Sequence, residues 1–361
     1  MKKTRAQLLR ERLEALNALI IRIIAEMIAE KDDEDALIDL MAILAALSME
    51  AADAERKVSS GLNAAVADVN KIYNDALNDT YKDARFKKAL KITSLSTAAK
   101  KDIEKHAQSV SRATAATIRA MAKGTNIPSA MREAVNRAYI AAQGHVGDYH
   151  GLMRSTVREI GRNGVLVRGE DGKYRRMVGA VMRVVRDGEQ EIRQYTSDVI
   201  SRELKFDAVE ISVHENSAPD HEPVQGHVFT LAEFSKLQNA EPCVDIDGRH
   251  FPAMERAIGE LNCRHITYGF STEYSERRYT NEQLDAMARR NAEGCVVDGK
   301  SYTLYEAVQY WRKLENDRMR LRNILVAAEA AGDKMLAFEC RVKVNALDRR
   351  IEVVRASVEV K

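Results

Sequence analysis

Residues 301–358 read SYTLYEAVQYWRKLENDRMRLRNILVAAEAAGDKMLAFECRVKVNALDRRIEVVRASV, and their apolar spacing decides the fold class. Ala307, Trp311, Leu314, Arg318, Leu321, Leu325 and Ala328 keep a four-three heptad rhythm, and Cys340, Val344, Leu347, Ile351, Val354 and Val358 keep a second. Between them, Ala331-Gly332-Asp333 sets a glycine past one helix end and an aspartate at the cap of the next. This predicts an antiparallel helical hairpin satisfied mainly by its own packing, with Arg318 as the polar irregularity of the seam. Tyr305, Tyr310 and Trp311 crowd its start, where docking on the adjoining module or on a partner is the alternative reading.

Composition extends the helical reading to most of the chain. Only five of 361 residues are proline, where an average usage of about 5% gives roughly 18. The length suits two or three domains, and 45% hydrophobic with 30% charged residues suits folded rather than disordered chain. The formal net charge of +2 excludes a global field that would draw the whole molecule onto nucleic acid or an acidic membrane. Cys243, Cys263, Cys295 and Cys340 form no CxxC pair, and no secretory signal pattern is found, so a reducing cytoplasm is expected. The most apolar early stretch, 16–29, is broken by Asn17, Arg22 and Glu26, so no membrane span is predicted.

Working back toward the N-terminus, Leu9, Leu13, Leu16, Ile20, Ile23 and Met27 predict an amphipathic helix over 5–30. Lys31-Asp32-Asp33-Glu34-Asp35 reads as a polar break, and helix resumes to about residue 90 with Leu62, Val66, Val69, Tyr73 and Leu77 on one face. Further helices are expected over 98–122 and 128–142, the second entered at Asn126-Ile127-Pro128. After Gly161, the run Val165-Leu166-Val167-Arg168 meets an Asp171-Gly172 turn, a small hairpin signal, and a helix over 177–204 leads to an alternating strand at 209–213. Four of the five prolines and five of the eight histidines then fall within 214–265, which predicts a compact non-helical module with a second Asp-Gly turn at Asp247-Gly248. The fold expected is mainly α with a small, loop-rich α+β module. It comprises an N-terminal helical unit (1–160), the central module (161–272) and the C-terminal antiparallel helical hairpin (273–361).

The chemistry-bearing residues concentrate in the central module. His214, His221, Cys263 and His265 are one thiol and three imidazoles, the donors zinc prefers, and Cys263 and His265 at i and i+2 share a face if extended. The spacing matches no standard zinc motif, and a buried hydrogen-bonded cluster pinning the loops is the plainer alternative to one structural zinc. Asp220-His221 with Asn262 and His265 also admits a metal-dependent nuclease or other hydrolase built on His214, His221, Asn262 and His265, or a Cys263 nucleophile. Outside the module, Arg154, Arg158, Arg162, Arg168, Lys173, Arg175, Arg176, Arg183 and Arg186 fall within 33 positions. Such a patch can meet DNA phosphates, an acidic protein surface, or only solvent.

The segment 209–270 resembles the phage minor capsid protein 2 family. The family pattern is a strand ending in Ser-x-His, a further His, a Gln-Gly-x-Val-aromatic step and an Asn-Cys-(Arg/Gly)-His box. It is matched here by Ser212 and His214, His221, Gln225-Gly226-His227-Val228-Phe229 and Asn262-Cys263-Arg264-His265. Asp298-Gly299-Lys300-Ser301-Tyr302, Tyr305-Glu306-Ala307-Val308-Gln309, Arg312-Lys313-Leu314-Glu315 and Ala330-Ala331-Gly332-Asp333 continue the likeness, which is good from about residue 145 onward. The His to Asn-Cys core is also similar to the Mu F-type head-morphogenesis module. Where many relatives carry Ala-Arg-x-x-His-x-x-Trp-Gln-Gly, this chain has Ser217, Ala218 and Val224 at the Ala, Arg and Trp positions. The resemblance implies a viral structural protein of a tailed phage or prophage, made in the bacterial cytoplasm and placed inside the virion head. It further implies association with the portal and other head proteins, contact with packaged DNA, roles in head assembly, packaging or ejection, no membrane and no catalytic residues. Ser212, Gln225, Gly226 and Asn262 would then define the module, and Arg154, Arg158, Arg162, Arg175, Arg176 and Arg183 are the candidates for DNA or portal contact.

Overall fold

The computed structural model describes residues 3–30, 40–83, 86, 90, 94–127, 129, 149–214, 217–260 and 263–359. The polar break at 31–35, Pro128 and, apart from Ser129, the helix expected over 128–142 lie outside them. Nine helices are described: α1 (Arg5–Glu30), α2 (Leu40–Tyr81), α3 (Thr97–Lys123), α4 (Tyr149–Asn163), α5 (Met177–Glu203), α6 (Leu231–Gln238), α7 (Asn281–Glu293), α8 (Leu304–Ala330) and α9 (Lys334–Glu359). Among the described residues the β-structure comprises three two-stranded hairpins, one three-stranded antiparallel sheet and an isolated Thr125–Val167 bridge, so the chain is mainly α with small β elements. Among the described residues no helix is long and apolar enough to cross a membrane.

Two compact units form, each from three stretches of chain. The first holds residues 1–71, 113–185 and 312–352. In α1 the buried line runs through Leu9, Leu13, Asn17, Ile20, Ile21 and Ile24, whereas Leu16 and Ile23 of the predicted stripe are half-buried. The cause is Asn17, which faces the core because it has partners there. Its Oδ1 accepts the Val165 N–H at 2.9 Å and its Nδ2 donates to Asn323 at 3.3 Å. The predicted hairpin forms as β1 (Leu166–Arg168) and β2 (Tyr174–Arg176), with Gly172 at φ +75° in its turn and Asp171 gripping Arg175 through both carboxylate oxygens at 2.6 and 2.7 Å.

The α8–α9 hairpin turns at Gly332, φ +72°, and Asp333 caps α9 by accepting the Leu336 N–H at 2.9 Å. Arg318 is satisfied across the seam by Asp348 at 3.1 Å and along its own helix by Glu315. The α9 heptad holds, with Leu347 half-buried, but in α8 Leu321 and Leu325 are half-buried while Ile324 and Ala327 are buried. That departure follows from a second neighbour. Gly161 of α4 lies so close to α8 that a Cβ there would sit 2.5 Å from Ile324 Cα and 2.9 Å from the Asn323 carbonyl oxygen.

The second unit holds residues 72–112, 186–311 and 353–361. α2 ends at Tyr81, and Phe86 and Leu90 are helical again, in line with helix expected to about residue 90. Phe86 is fully buried among Ile103, Ile200, Phe206 and Tyr268. The central sheet has the order β4 (Val228–Thr230), β3 (Ala208–Ile211), β7 (Thr267–Phe270), with Val209 facing Phe229 on one side and Gly269 on the other. The module is not free of helix as expected. α6 follows β4 directly, because Thr230 caps it by accepting the Glu233 N–H at 3.2 Å, and a 3-10 turn covers Glu222–Val224. The Thr-x-x-Glu spacing carried that signal in the sequence. The hairpin β5 (Cys243–Val244) with β6 (His250–Phe251) encloses the second Asp-Gly turn, where Gly248 has φ +83°.

The close approach at Gly161 meets rigid backbone, so an added methyl group cannot be relieved by a rotamer change. Gly161→Ala is expected to cost about 1–3 kcal/mol of stability, read as a lower urea midpoint at unchanged slope.

Candidate functional site

Beyond Ile211 the ladder of β3 is continued by side chains. The Ser212 N–H donates to the Ile266 carbonyl and its Oγ accepts the Ile266 N–H, both at 2.9 Å. The Gly226 N–H donates to the Ile211 carbonyl at 2.9 Å, and Gln225 Oε1 accepts the His214 N–H at 2.9 Å. Gly226 has φ +74°, and a Cβ there would lie 2.5 Å from Leu284 Cδ2, so both conformation and space call for glycine. Ser212, Gln225 and Gly226 thus aim the loop after β3 at the segment before β7.

That aim brings three donors together. The Nδ1 atoms of His221 and His265 face one Cys263 Sγ at 3.5 and 3.6 Å, and the three donor atoms lie within 4.8 Å of one another. All three residues are buried. On the outer side, His221 Nε2 donates to the Arg256 carbonyl at 2.8 Å and His265 Nε2 lies 3.4 Å from Ser217 Oγ. Asp220 holds the Arg256 guanidinium at 2.8 Å. His214, the fourth residue expected here, packs edge-on against the His265 ring with centroids 4.8 Å apart, but its Nε2 donates to the Arg264 carbonyl at 2.6 Å and it stands outside the three-donor group. Asn262 lies outside the described residues.

Burial and the neighbouring His214 and His221 rings push His265 down to about 3, so its ring is neutral at ordinary pH. Burial likewise lowers His214. Two imidazoles and a thiol buried together can exchange a weak hydrogen bond or ligate a soft cation.

A family model described as phage minor capsid protein 2 matches residues 13–353 of the 361. The chain belongs to the phage minor capsid protein 2 family. No curated protein and no solved structure matches it. Membership makes the chain a phage minor capsid protein, a structural component of the virion. At the position of the family's usual Trp, this minor capsid protein buries Val224 in the cluster with Ile211, Phe229 and Cys263. The arginine of the pattern is absent at Ala218, and Arg256 supplies the guanidinium that meets Asp220 from elsewhere in the chain.

The arginines singled out in the sequence are unequal. Arg154 pairs with Asp333 at 2.7 Å, Arg158 with Glu339 at 3.5 Å, and Arg175 with Asp171. Arg176 donates to the Arg162 carbonyl at 2.9 Å, and burial followed by the like charges of Arg320 and Arg162 lowers its pKa. Arg162 and Arg183 are exposed.

Two polar contacts of this minor capsid protein went unread in the sequence. Buried Asn291 donates to Glu222 at 2.6 Å and accepts the Tyr305 N–H at 3.0 Å, so the start of α8 does dock on the module, as the aromatic crowding allowed. His227 donates from Nδ1 to Asp245 at 2.8 Å with both side chains buried, while Asp245 Oδ1 accepts the N–H groups of Asp247 and Arg249 across the turn.

Burial lowers the pKa of His227; Asp245 opposes this, and Arg277 and Arg249 add to it. As pH falls through about 6.5 the unfolded chain therefore takes up this proton before the folded one. Its share of stability is complete above that pH and is lost below it. The thermal midpoint should drop between pH 7 and pH 5, and His227→Gln should make that drop shallower.

Proposed function

We propose that this minor capsid protein lies inside the phage head against the portal and works by binding, supporting head assembly, DNA packaging or the start of ejection. The observation that carries the reading is the family match across residues 13–353, which takes in the helical stretches as well as the module. With a net charge of only +2, an anionic partner must be met locally. The exposed Arg162 and Arg183, with Arg176 donating to the Arg162 carbonyl, supply local positive charge on the first compact unit.

Co-expression with the cognate portal protein tests the proposal, and capture of this chain by tagged portal is expected, as is its recovery from disrupted heads. Purified virions without any copy would overturn it. If the arginines meet packaged DNA, replacing Arg162 and Arg183 by Gln should weaken duplex binding at low salt and reduce the salt slope of log K by about 2. The same assays, run with divalent ions, should leave the DNA intact; metal-dependent cleavage lost in His221→Ala would move the function to a nuclease.

A further inference from the structure

The geometry points to a zinc site of three protein ligands, His221 Nδ1, Cys263 Sγ and His265 Nδ1, from which His214 is excluded. Zinc bonds of about 2.3 Å to sulfur and 2.0–2.1 Å to nitrogen, set at the tetrahedral angle, place S and N about 3.5–3.6 Å apart. The two S···N edges here are 3.5 and 3.6 Å. The N···N edge, within 4.8 Å, is the one that shortens when an ion enters.

The outer atoms are arranged as a metal would require. His221 spends its Nε2 proton on the Arg256 carbonyl, which leaves the Nδ1 lone pair directed inward, and Ser217 stands at the outer nitrogen of His265. His214 makes the same kind of outer contact, from Nε2 to the Arg264 carbonyl, but it packs edge-on against the His265 ring and is not among the three donors that lie within 4.8 Å of one another. A single thiol proton can serve one imidazole acceptor, whereas one cation serves both nitrogens and the sulfur at once. Binding converts the Cys263 thiol to a zinc-bound thiolate and releases that proton to solvent. Three protein donors leave the fourth tetrahedral position to a non-protein ligand such as water.

The need for such a cross-link is visible in the backbone. Described residues between Phe251 and Thr267 belong to no helix or strand. They are tied instead by Gln238, which both accepts from and donates to Ile258 at 2.8 and 3.0 Å, and by the Arg256 contacts. An ion held by His221 on one loop and by Cys263 and His265 on the other would join the loop after β3 to the approach to β7.

The test is elemental analysis of the purified full chain together with a cobalt titration, and it does not depend on where the protein sits in the virion. About one zinc per chain is expected, and cobalt should give a thiolate charge-transfer band with intense tetrahedral d–d bands that one equivalent of zinc abolishes. Cys263→Ser should lose the charge-transfer band, His265→Ala should lose the metal, and His214→Ala should keep both metal and spectrum. Should the ligand variants fail to fold, the wild-type cobalt spectrum decides. A folded wild-type chain that takes up neither ion overturns the site; loss of metal from a folded His214→Ala chain overturns the three-ligand assignment.

Discussion

A sheet of three strands, none longer than four residues, cannot hold two long loops in place through its own ladder. Each strand end leaves N–H and C=O groups that must find partners or remain costly to bury. In the module those partners are side chains. Ser212 answers Ile266 in both directions, Gln225 answers His214, and Gly226 gives the backbone room to return to Ile211. Everything placed beyond the sheet follows from these few bonds, including the meeting of His221 with Cys263 and His265. The residues the family pattern carries at these positions are therefore explained as geometry, with no catalytic role required of Ser212, Gln225 or Gly226.

What could be read from the sequence was whatever a period or a turn residue records locally. The α8–α9 hairpin, the β1–β2 hairpin and the span of α5 came from apolar spacing, from Gly332 and Asp333, and from Asp171-Gly172. The misses arise where one element answers to two neighbours. Asn17 looked like a break in an apolar stripe and is instead its buried polar centre, because Val165 and Asn323 supply its partners from far along the chain. Ile324 displaces Leu325 from the buried face of α8 because Gly161 lets another helix approach there. Helix α6 was obscured by the prolines around it, although Thr230 and Glu233 announced its cap.

The candidate site was readable by residue type and less so by membership. Counting donors gave four, but counting could not show that the outer nitrogen of one histidine meets the Arg256 carbonyl and that of another the Arg264 carbonyl. The two contacts are of one kind, and position separates the rings: His221 Nδ1 lies 3.5 Å from Cys263 Sγ, while His214 packs against the His265 ring. The His227–Asp245 pair was unreadable for the opposite reason. An aspartate before an Asp-Gly turn is adequately explained by the turn, and its second oxygen is free for a histidine only once β5 and β6 have closed.

The arginines show how a nearly neutral chain can still present charge. Arg154 meets the mostly buried Asp333, whereas Arg158 and Arg175 are each paired with an exposed carboxylate, and surface pairs of this kind contribute little to stability. Exchanging such a carboxylate for a phosphate or an acidic side chain of a partner therefore costs the fold little. Arg176 differs, because its half-buried guanidinium donates to the Arg162 carbonyl beside Arg162 and Arg320, whose charge Asp317 partly offsets by pairing with Arg320. Local charge on this nearly neutral chain therefore depends on which arginines a carboxylate offsets, not on the length of the basic run in the sequence.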